Sequence, residues 1–541
     1  MNFEIPEVLI KQLLCHVEAD SPLGKQLNAY NISHGRMMVS SELFDAAALN
    51  TLYTLCKNGE ERQLMFQMLA LDNIRGAPDA RKIPSLDLLI NGLIAYIKRD
   101  GIDGWLYKRN ADGVLLPWLV KSMRHVFPDV GKDYVVVSLL ANTMQAATAE
   151  PSAEQPQRYA GMTTAIVLNK HDIADKTIPE LLAEQGFYKE CAEFKQEYEL
   201  HAKRFIQLQK QFGQQFLVNQ AAFIPGPKGK LDYVRLPAGT TVKCINDEEA
   251  LERRFDLQSS GEFWREAGIE SGFDHIPLHC YLYMFHMEWH RNIWVHVQNM
   301  TEYRYKPALR DKLVLPQAHR DLIDILTTDM HVLHDDFIDG KSGGTTILCK
   351  GLPGLGKTLT AEVYSEVVGK PLYRVHSGQL GITAESVEAN LTDILRRAER
   401  WGAILLLDEA DVYIRQRDND LQHNAIVAEF LRTLEYFSGL LFMTTNRTDD
   451  VDDAILSRCI AIIKYDTPST EAAQLLWKNL AEQFEVDLPA ALIEELTQTY
   501  AAASGRDIKE LLKLTAKYCD SKNAPLSAEA FRQCAVFKGI A

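Results

Sequence analysis

The sequence predicts an α/β fold: a parallel sheet between helices, followed by a C-terminal helical lid and preceded by a mixed α and β-rich N-terminal region. Three observations carry this. Gly351-Leu-Pro-Gly-Leu-Gly-Lys-Thr358 matches G-x-x-x-x-G-K-[ST] and lies between an apolar strand-like run, Thr345 to Cys349, and a helix-forming run, Leu359 to Val368. Further on, Ile404-Leu-Leu-Leu-Asp408-Glu409-Ala-Asp411 runs apolar residues straight into acids. That pattern reads as a strand buried on both faces whose carboxyl end opens at a crevice. Finally, Ser469 to Phe484, Pro489 to Tyr500, Arg506 to Tyr518 and Ala528 to Phe537 read as helices separated by turn formers, with Ser504 as an N-cap and Asp507 acidic in the first turn.

Each element of the glycine-rich motif has a chemical task. Glycines let the backbone fold around phosphates with successive N–H groups pointing inward, Lys357 reaches the terminal phosphates, and the Thr358 hydroxyl ligates Mg2+. Gly351, Pro353, Gly354, Leu355, Gly356, Lys357, Thr358 and Leu359 are therefore the candidate nucleotide-binding residues. Asp408 is the second candidate metal ligand, and Glu409, one position later, is placed to orient and deprotonate an attacking water. Leu441 to Arg447 reads as a further strand ending in polar Asn446, which holds that water from the other side.

In this order of parts the sequence resembles the AAA+ superfamily of ATPases. Walker A (Gly351 to Thr358), Walker B (Leu405 to Glu409) and a sensor-1-like Thr444-Thr-Asn-Arg447 are followed by Ala454-Ile-Leu-Ser-Arg458-Cys459 and Ser504-Gly-Arg506-Asp507. The likeness covers residues 316 to 541 and is to AAA ATPases with a large uncharacterised N-terminal region. It implies ATP and Mg2+ as cofactors, ATP phosphohydrolase activity, and catalytic roles for Glu409, Asn446, Arg458 and Arg506. Arg458 would reach a neighbouring subunit's nucleotide and Arg506, on the lid, the γ-phosphate of its own. A planar cation stabilises charge spreading over a transferred phosphoryl group and can be supplied in trans. The resemblance accordingly implies a homo-oligomer, most often a hexameric ring. Ser457-Arg458-Cys459 is also similar to the arginine-finger triplet of clamp-loader subunits. One departure stands out: threading members carry an aromatic pore-loop residue after the second strand, whereas His376 to Glu388 has none and offers only Leu380 and Ile382.

Composition bounds the rest. A chain of 541 residues holds three or four domains at the usual size, and 46% hydrophobic with 24% charged residues describes globular material. A net charge of −15 argues against a broad nucleic-acid-binding surface. Nine cysteines without a C-x-x-C pair fit reduced thiols. The first residues lack a basic start and apolar core, so no signal peptide is expected, and no apolar stretch reaches the roughly 18 residues of a membrane span. The expectation is a soluble, cytoplasmic protein.

The expected organisation is a mainly helical domain over 1–150, a linker at 148–158, a long helical segment over 160–220, a small β-rich domain over 221–310, the large ATPase subdomain over 316–466 and the lid over 467–541. Cys191, Phe194, Tyr198, His201, Phe205, Leu208 and Phe212 recur at alternating spacings of three and four, the stripe of a long docked helix ended by Gly213. Trp105, Tyr107 and Trp118 stand among Lys98, Arg99, Lys108, Arg109, Lys121 and Arg124, a mixture able to stack on single strands but more in keeping with a solvated face over buried tryptophans. Asp274, His275, His279, Cys280, His286, Glu288, His290 and His296 supply enough donors for a metal, yet at spacings that match no zinc pattern, so they read as packed or surface side chains.

Three functional readings follow. The first is Mg-dependent ATP hydrolysis by a ring that remodels a protein partner recruited by the N-terminal region. The alternatives are a nucleic-acid-acting ATPase and an ATP-controlled assembly scaffold or sensor.

Overall fold

Alternating burial, helix periodicity and glycine placement sort the described residues into three sheets of five or more strands with their helices, plus two two-stranded pairs, one of them near the N-terminus. The computed structural model describes residues 2–29, 36–58, 61, 64, 68, 82–144, 158–226, 231–236, 239–328, 344–417 and 420–540.

The C-terminal half is built on a parallel sheet in the order Leu372–His376, Ile404–Asp408, Leu440–Thr445, Thr345–Gly351, Ala461–Tyr465. Ile404–Asp408 and Leu440–Thr445 are buried at every residue, which is why they read as continuous apolar runs. Helices cover both faces. Ala384–Trp401 packs one side with Val387, Leu391, Ile394, Leu395 and Ala398, and Lys357–Val368 packs the other with Ala361, Val363 and Tyr364. The lid follows as Thr470–Gln483, Ala490–Thr499, Gly505–Lys522 and Ala528–Lys538 around buried Trp477 and Phe531. This is the α/β core with C-terminal helices that the sequence predicts.

The N-terminal region differs from its expected helical character. Helices Glu7–Leu14, Pro22–Asn28, Ala46–Asn58 and Leu86–Lys98 are present, but Trp105–Arg109, Leu115–Val126 and Tyr134–Asn142 are strands of an antiparallel sheet completed by Gly161–Asn169 and Tyr188–Lys189. The reason is a period of two: Val135, Val137, Leu139 and Ala141 are buried while Tyr134, Val136, Ser138 and Leu140 between them are only partly so. Residues 160–220 are likewise mixed, because Gly161–Asn169 and Gln215–Val218 are strands. The heptad stripe does form a helix, Ala192–Gln209, burying Phe194, His201, Phe205 and Leu208. Residues 148–157 of the expected linker lie outside the described residues, and a helix over Gln317–Thr328 precedes the parallel sheet.

A seven-stranded sheet in the order Leu231–Arg235, Ala221–Pro225, Arg291–His296, Tyr281–His286, Val242–Asn246, Gln215–Val218, Met300–Glu302 abuts the parallel sheet. Phe285 packs on Tyr373 and Trp401 with ring centroids 5.5 and 4.8 Å away, in the same apolar cluster as strands of the parallel sheet. Asp247, 2% exposed, accepts hydrogen bonds from Trp401 Nε1 and an Arg400 guanidinium nitrogen, each at 2.7 Å, and from Asn292 at 2.8 Å. Gly213, at φ +72°, lies so close to the Trp401 main chain that a Cβ would meet its carbonyl oxygen at 2.8 Å. Glu366 on the helix Lys357–Val368 accepts from Tyr303 Oη at 2.5 Å and the Lys306 amide at 2.9 Å.

Asp247→Ala is expected to destabilise this junction by about 1–3 kcal/mol, the cost of a buried indole N–H without an acceptor. A lowered denaturant midpoint with faster proteolytic release of the C-terminal half checks this. An unchanged midpoint would assign the junction to apolar contacts alone.

Candidate active site

Strand Thr345–Gly351 ends in a loop that only glycine permits in several places: Gly351, Gly354 and Gly356 have φ of +152°, +83° and +98°. The loop turns directly into the helix Lys357–Val368, so its amides gather at a helix N-terminus. Lys357, buried except for 7% of its surface, sends its ammonium across the loop to the carbonyl oxygens of Gly351 and Leu352, both at 2.7 Å, and to Asn446 Oδ1 at 3.0 Å. Burial lowers the pKa of Lys357, opposed by the nearby Asp411 carboxylate.

Asp408 ends the strand Ile404–Asp408. Its Oδ1 accepts from Thr358 Oγ1 at 2.8 Å and Thr444 Oγ1 at 2.6 Å, and its Oδ2 faces an Arg374 guanidinium nitrogen at 2.6 Å. Burial raises the Asp408 pKa; the hydroxyls of Thr444 and Thr358 and the Arg374 charge outweigh it and hold the carboxyl below its ordinary value. Glu409 is exposed in the left-handed region at φ +56°, its amide donating to Thr444 Oγ1 at 3.0 Å. A left-handed backbone at a non-glycine residue is costly and clusters at functional sites. Asn446 is set by Asp411, whose Oδ1 accepts its backbone N–H at 3.0 Å and the Thr445 hydroxyl at 2.5 Å.

The lid closes on the loop through main chain. Ser504 caps the helix Gly505–Lys522 in a reciprocal box with Asp507, and the Arg506 amide donates to the Gly354 carbonyl oxygen at 3.1 Å. Arg506 itself is exposed. Arg458 lies apart from these groups in its recorded contacts, which are the Ala454 carbonyl oxygen at 3.3 Å and Glu435 at 3.6 Å.

Among the described residues, then, two hydrogen-bonded pairs, Lys357 with Asn446 and Thr358 with Asp408, meet through the adjacent positions of Lys357 and Thr358 in the chain, with the Glu409 amide joined to Asp408 through Thr444 and the Arg506 amide bonded to the loop at Gly354. Hard oxygen donors on Thr358 and Asp408, beside a glycine loop with a lysine across it, fit Mg2+ with a triphosphate.

A model of the family "ATPase family associated with various cellular activities (AAA)" matches residues 347–467, the span of this loop, strand and sheet. The match places an AAA ATPase domain at these residues of the chain. Among curated proteins it is similar to the "Uncharacterized AAA family ATPase y4kL" of Sinorhizobium fredii (strain NBRC 101917 / NGR234), 32% identical over 201 residues, covering 34% of this chain and 59% of that protein. It is also similar to spastin of Sus scrofa, 24% identical over 219 residues, covering 38% of this chain and 33% of spastin. The chain thus spans less than two thirds of the length of these relatives. One solved chain, from "Structure of E. coli MS115-1 HORMA:CdnC:Trip13 complex", aligns at a TM-score of 0.35 and 17% identity, over 42% of this chain and 90% of that one.

Three participants escaped the sequence reading of this AAA+ site. Thr444 and Asp411 sat inside recognised motifs without an assigned task. Arg374 had one signal, a lone cation in the strand Leu-Tyr-Arg-Val-His. Of the other expectations, one changes and one holds. Leu380, offered as a gripping residue, is 1% exposed and belongs to the core, leaving Ile382 at 89% exposure. Trp105 and Tyr107 are buried, with Trp105 Nε1 donating to the His275 carbonyl oxygen at 2.8 Å, so neither presents a stacking face.

The histidine-rich segment has other partners. His279 is bonded to Thr143 Oγ1 at 3.0 Å and the Pro117 carbonyl oxygen at 2.8 Å, His286 stacks on Trp289, and His296 packs edge-on to His201 and Tyr281. No group of three or more metal-donor side chains converges among the described residues. No described helix is long and apolar enough to cross a membrane.

Gly354→Ala tests the loop and lid together. A Cβ there would meet Ser504 Oγ at 2.7 Å and Arg506 Cβ at 2.9 Å, at a φ that resists any side chain. ATP affinity measured by calorimetry should fall by roughly tenfold or more, given about 1–2 kcal/mol of left-handed strain plus the displaced lid. Wild-type affinity in Gly354→Ala would show that loop and lid are uncoupled.

Proposed function

We propose that this protein hydrolyses ATP in a Mg-dependent reaction and that copies of it assemble into a ring, most simply a hexamer, which remodels a protein partner recruited by the N-terminal region. The observation that carries the chemistry is the pairing of Lys357 with Asn446 and of Thr358 with Asp408 around one glycine loop. The AAA domain match supports the wider reading.

In this reading the loop amides of Gly354, Gly356 and Lys357 bind the phosphates, and Lys357 exchanges its carbonyl partners for the β- and γ-phosphate oxygens. Mg2+, held by Thr358 and Asp408, supplies charge neutralisation. Glu409 and Asn446 orient a water whose oxygen attacks the γ-phosphorus; the bond to the bridging oxygen breaks, ADP leaves, and the water's proton passes to the Glu409 carboxylate. Arg506 contacts the γ-phosphate from the protomer's own lid. Arg458, exposed and held among the described residues by a surface carboxylate and a carbonyl, could turn toward a neighbouring protomer's nucleotide.

One observation favours a second reading, an ATP-controlled assembly scaffold. The segment after the strand Leu372–His376 is a short turn, Ser377–Gln379, tied down by Tyr413 Oη to the carbonyl oxygens of Ser377 and Gly381, both at 2.7 Å. With Leu380 buried and no aromatic, this segment is poorly made for pulling a chain.

Glu409→Gln should lower ATP turnover by roughly a hundredfold or more while retaining bound ATP and steadying the assembled ring. Arg458→Ala should lower turnover by about a thousandfold with ATP binding intact. Phosphate release, calorimetry and light scattering read these outcomes; wild-type turnover in Arg458→Ala removes the trans arrangement. A protein partner that raises turnover favours remodelling, and ATP-dependent assembly with no such partner favours the scaffold.

A further inference from the structure

The cation beside Asp408 is unusual in being part of the chain. Arg374 lies in the edge strand Leu372–His376, where Tyr373 and Val375 are buried on one face and Arg374 therefore projects from the other, toward the helix Lys357–Val368. From there it reaches Asp408 Oδ2 at 2.6 Å, while a second guanidinium nitrogen stands 3.6 Å from Glu362 Oε1 on that helix. Its Nε is buried and makes no hydrogen bond, so the guanidinium is not saturated in this position.

A guanidinium against this carboxylate occupies the electrostatic role that the ion takes when Asp408 binds Mg2+. An arginine does not relieve the conflict by losing its proton, because it stays charged throughout the accessible pH range. Movement is the remaining way out. The strand itself is not free to move far: Tyr373 is wedged against Phe285 at 5.5 Å and Trp401 at 5.2 Å. The side chain is 42% exposed and has Glu362 within reach as a second carboxylate.

We propose that Arg374 is a positioning residue that competes with the divalent cation for Asp408, and that it shifts onto Glu362 when the metal binds. In this role it keeps the metal site closed to free Mg2+ and open to the ion that arrives with a triphosphate, whose own charge attracts the guanidinium. The inference rests on the nucleotide reading given above.

The test uses the full chain without nucleotide and Mn2+ as the probe, its binding followed by electron paramagnetic resonance. Arg374→Gln should bind Mn2+ at least about tenfold more tightly than wild type, since a unit charge a few ångströms from the ion is removed. Arg374→Lys, which keeps the charge, should stay near wild type, and Asp408→Asn added to Arg374→Gln should erase the gain. Equal Mn2+ affinity in wild type and Arg374→Gln overturns the proposal, as does a gain that survives Asp408→Asn or that Arg374→Lys shares in full. Failure of the nucleotide reading shows separately, as calorimetric ATP binding that Lys357→Ala leaves unchanged.

Discussion

One carboxylate holds the site in order. Asp408 stands at the tip of a strand with no exposed residue, where an unpaired charge would be costly, and donors from three other elements converge on it: Thr358 from the phosphate-loop helix, Thr444 from the adjacent strand, Arg374 from the edge strand. Thr444 does two things with one hydroxyl. It donates to Asp408 and accepts the amide of Glu409, so the left-handed backbone that exposes Glu409 is fixed by the same group that orients the carboxylate. The geometry of Asp408 and that of Glu409 are therefore not independent.

The N-terminal region reaches this arrangement through two short routes. Tyr373, clamped by Phe285 of the seven-stranded sheet, is the residue before Arg374. Glu366, held by Tyr303 and Lys306, is on the helix that begins with Lys357. A displacement of the seven-stranded sheet thus acts on both the edge strand and the phosphate-loop helix, and the buried Asp247 bonds to Trp401 and Arg400 resist it. The coupling is physical contact between packed elements, which requires no separate messenger segment.

Legibility in the sequence followed the strength of local constraint. The glycine loop, the apolar run into Asp408 and the caps of the lid were readable because each is enforced within a few residues: Gly354 and Gly356 by positive φ, Ile404 to Leu407 by burial on both faces, Ser504 by its bond to the Asp507 amide. Glu366, Asp247 and Arg374 were not readable, since their partners lie 60, 153 and 34 residues away and only the tertiary fold brings them together. The strands at 105–142 were lost for a different reason. Their alternation is interrupted, with a register shift between Val120 and Ser122, and charged residues such as Lys121 occupy the outward positions that a helix face would also show.

The lid contact separates two kinds of nucleotide sensing that a sequence comparison merges. Arg506 would reach a γ-phosphate with its side chain, but what ties the lid to the loop is its amide on the Gly354 carbonyl oxygen, with Ser504 against Gly354 Cα. A main-chain bond survives any substitution at 506 except proline. Rotation of the lid must then pull on Gly354 whether or not a guanidinium senses the phosphate, and reshaping of the loop around a phosphate must in turn move the lid. Arg506, in the role proposed for it, would add discrimination between nucleotides to a mechanical link that the backbone already makes.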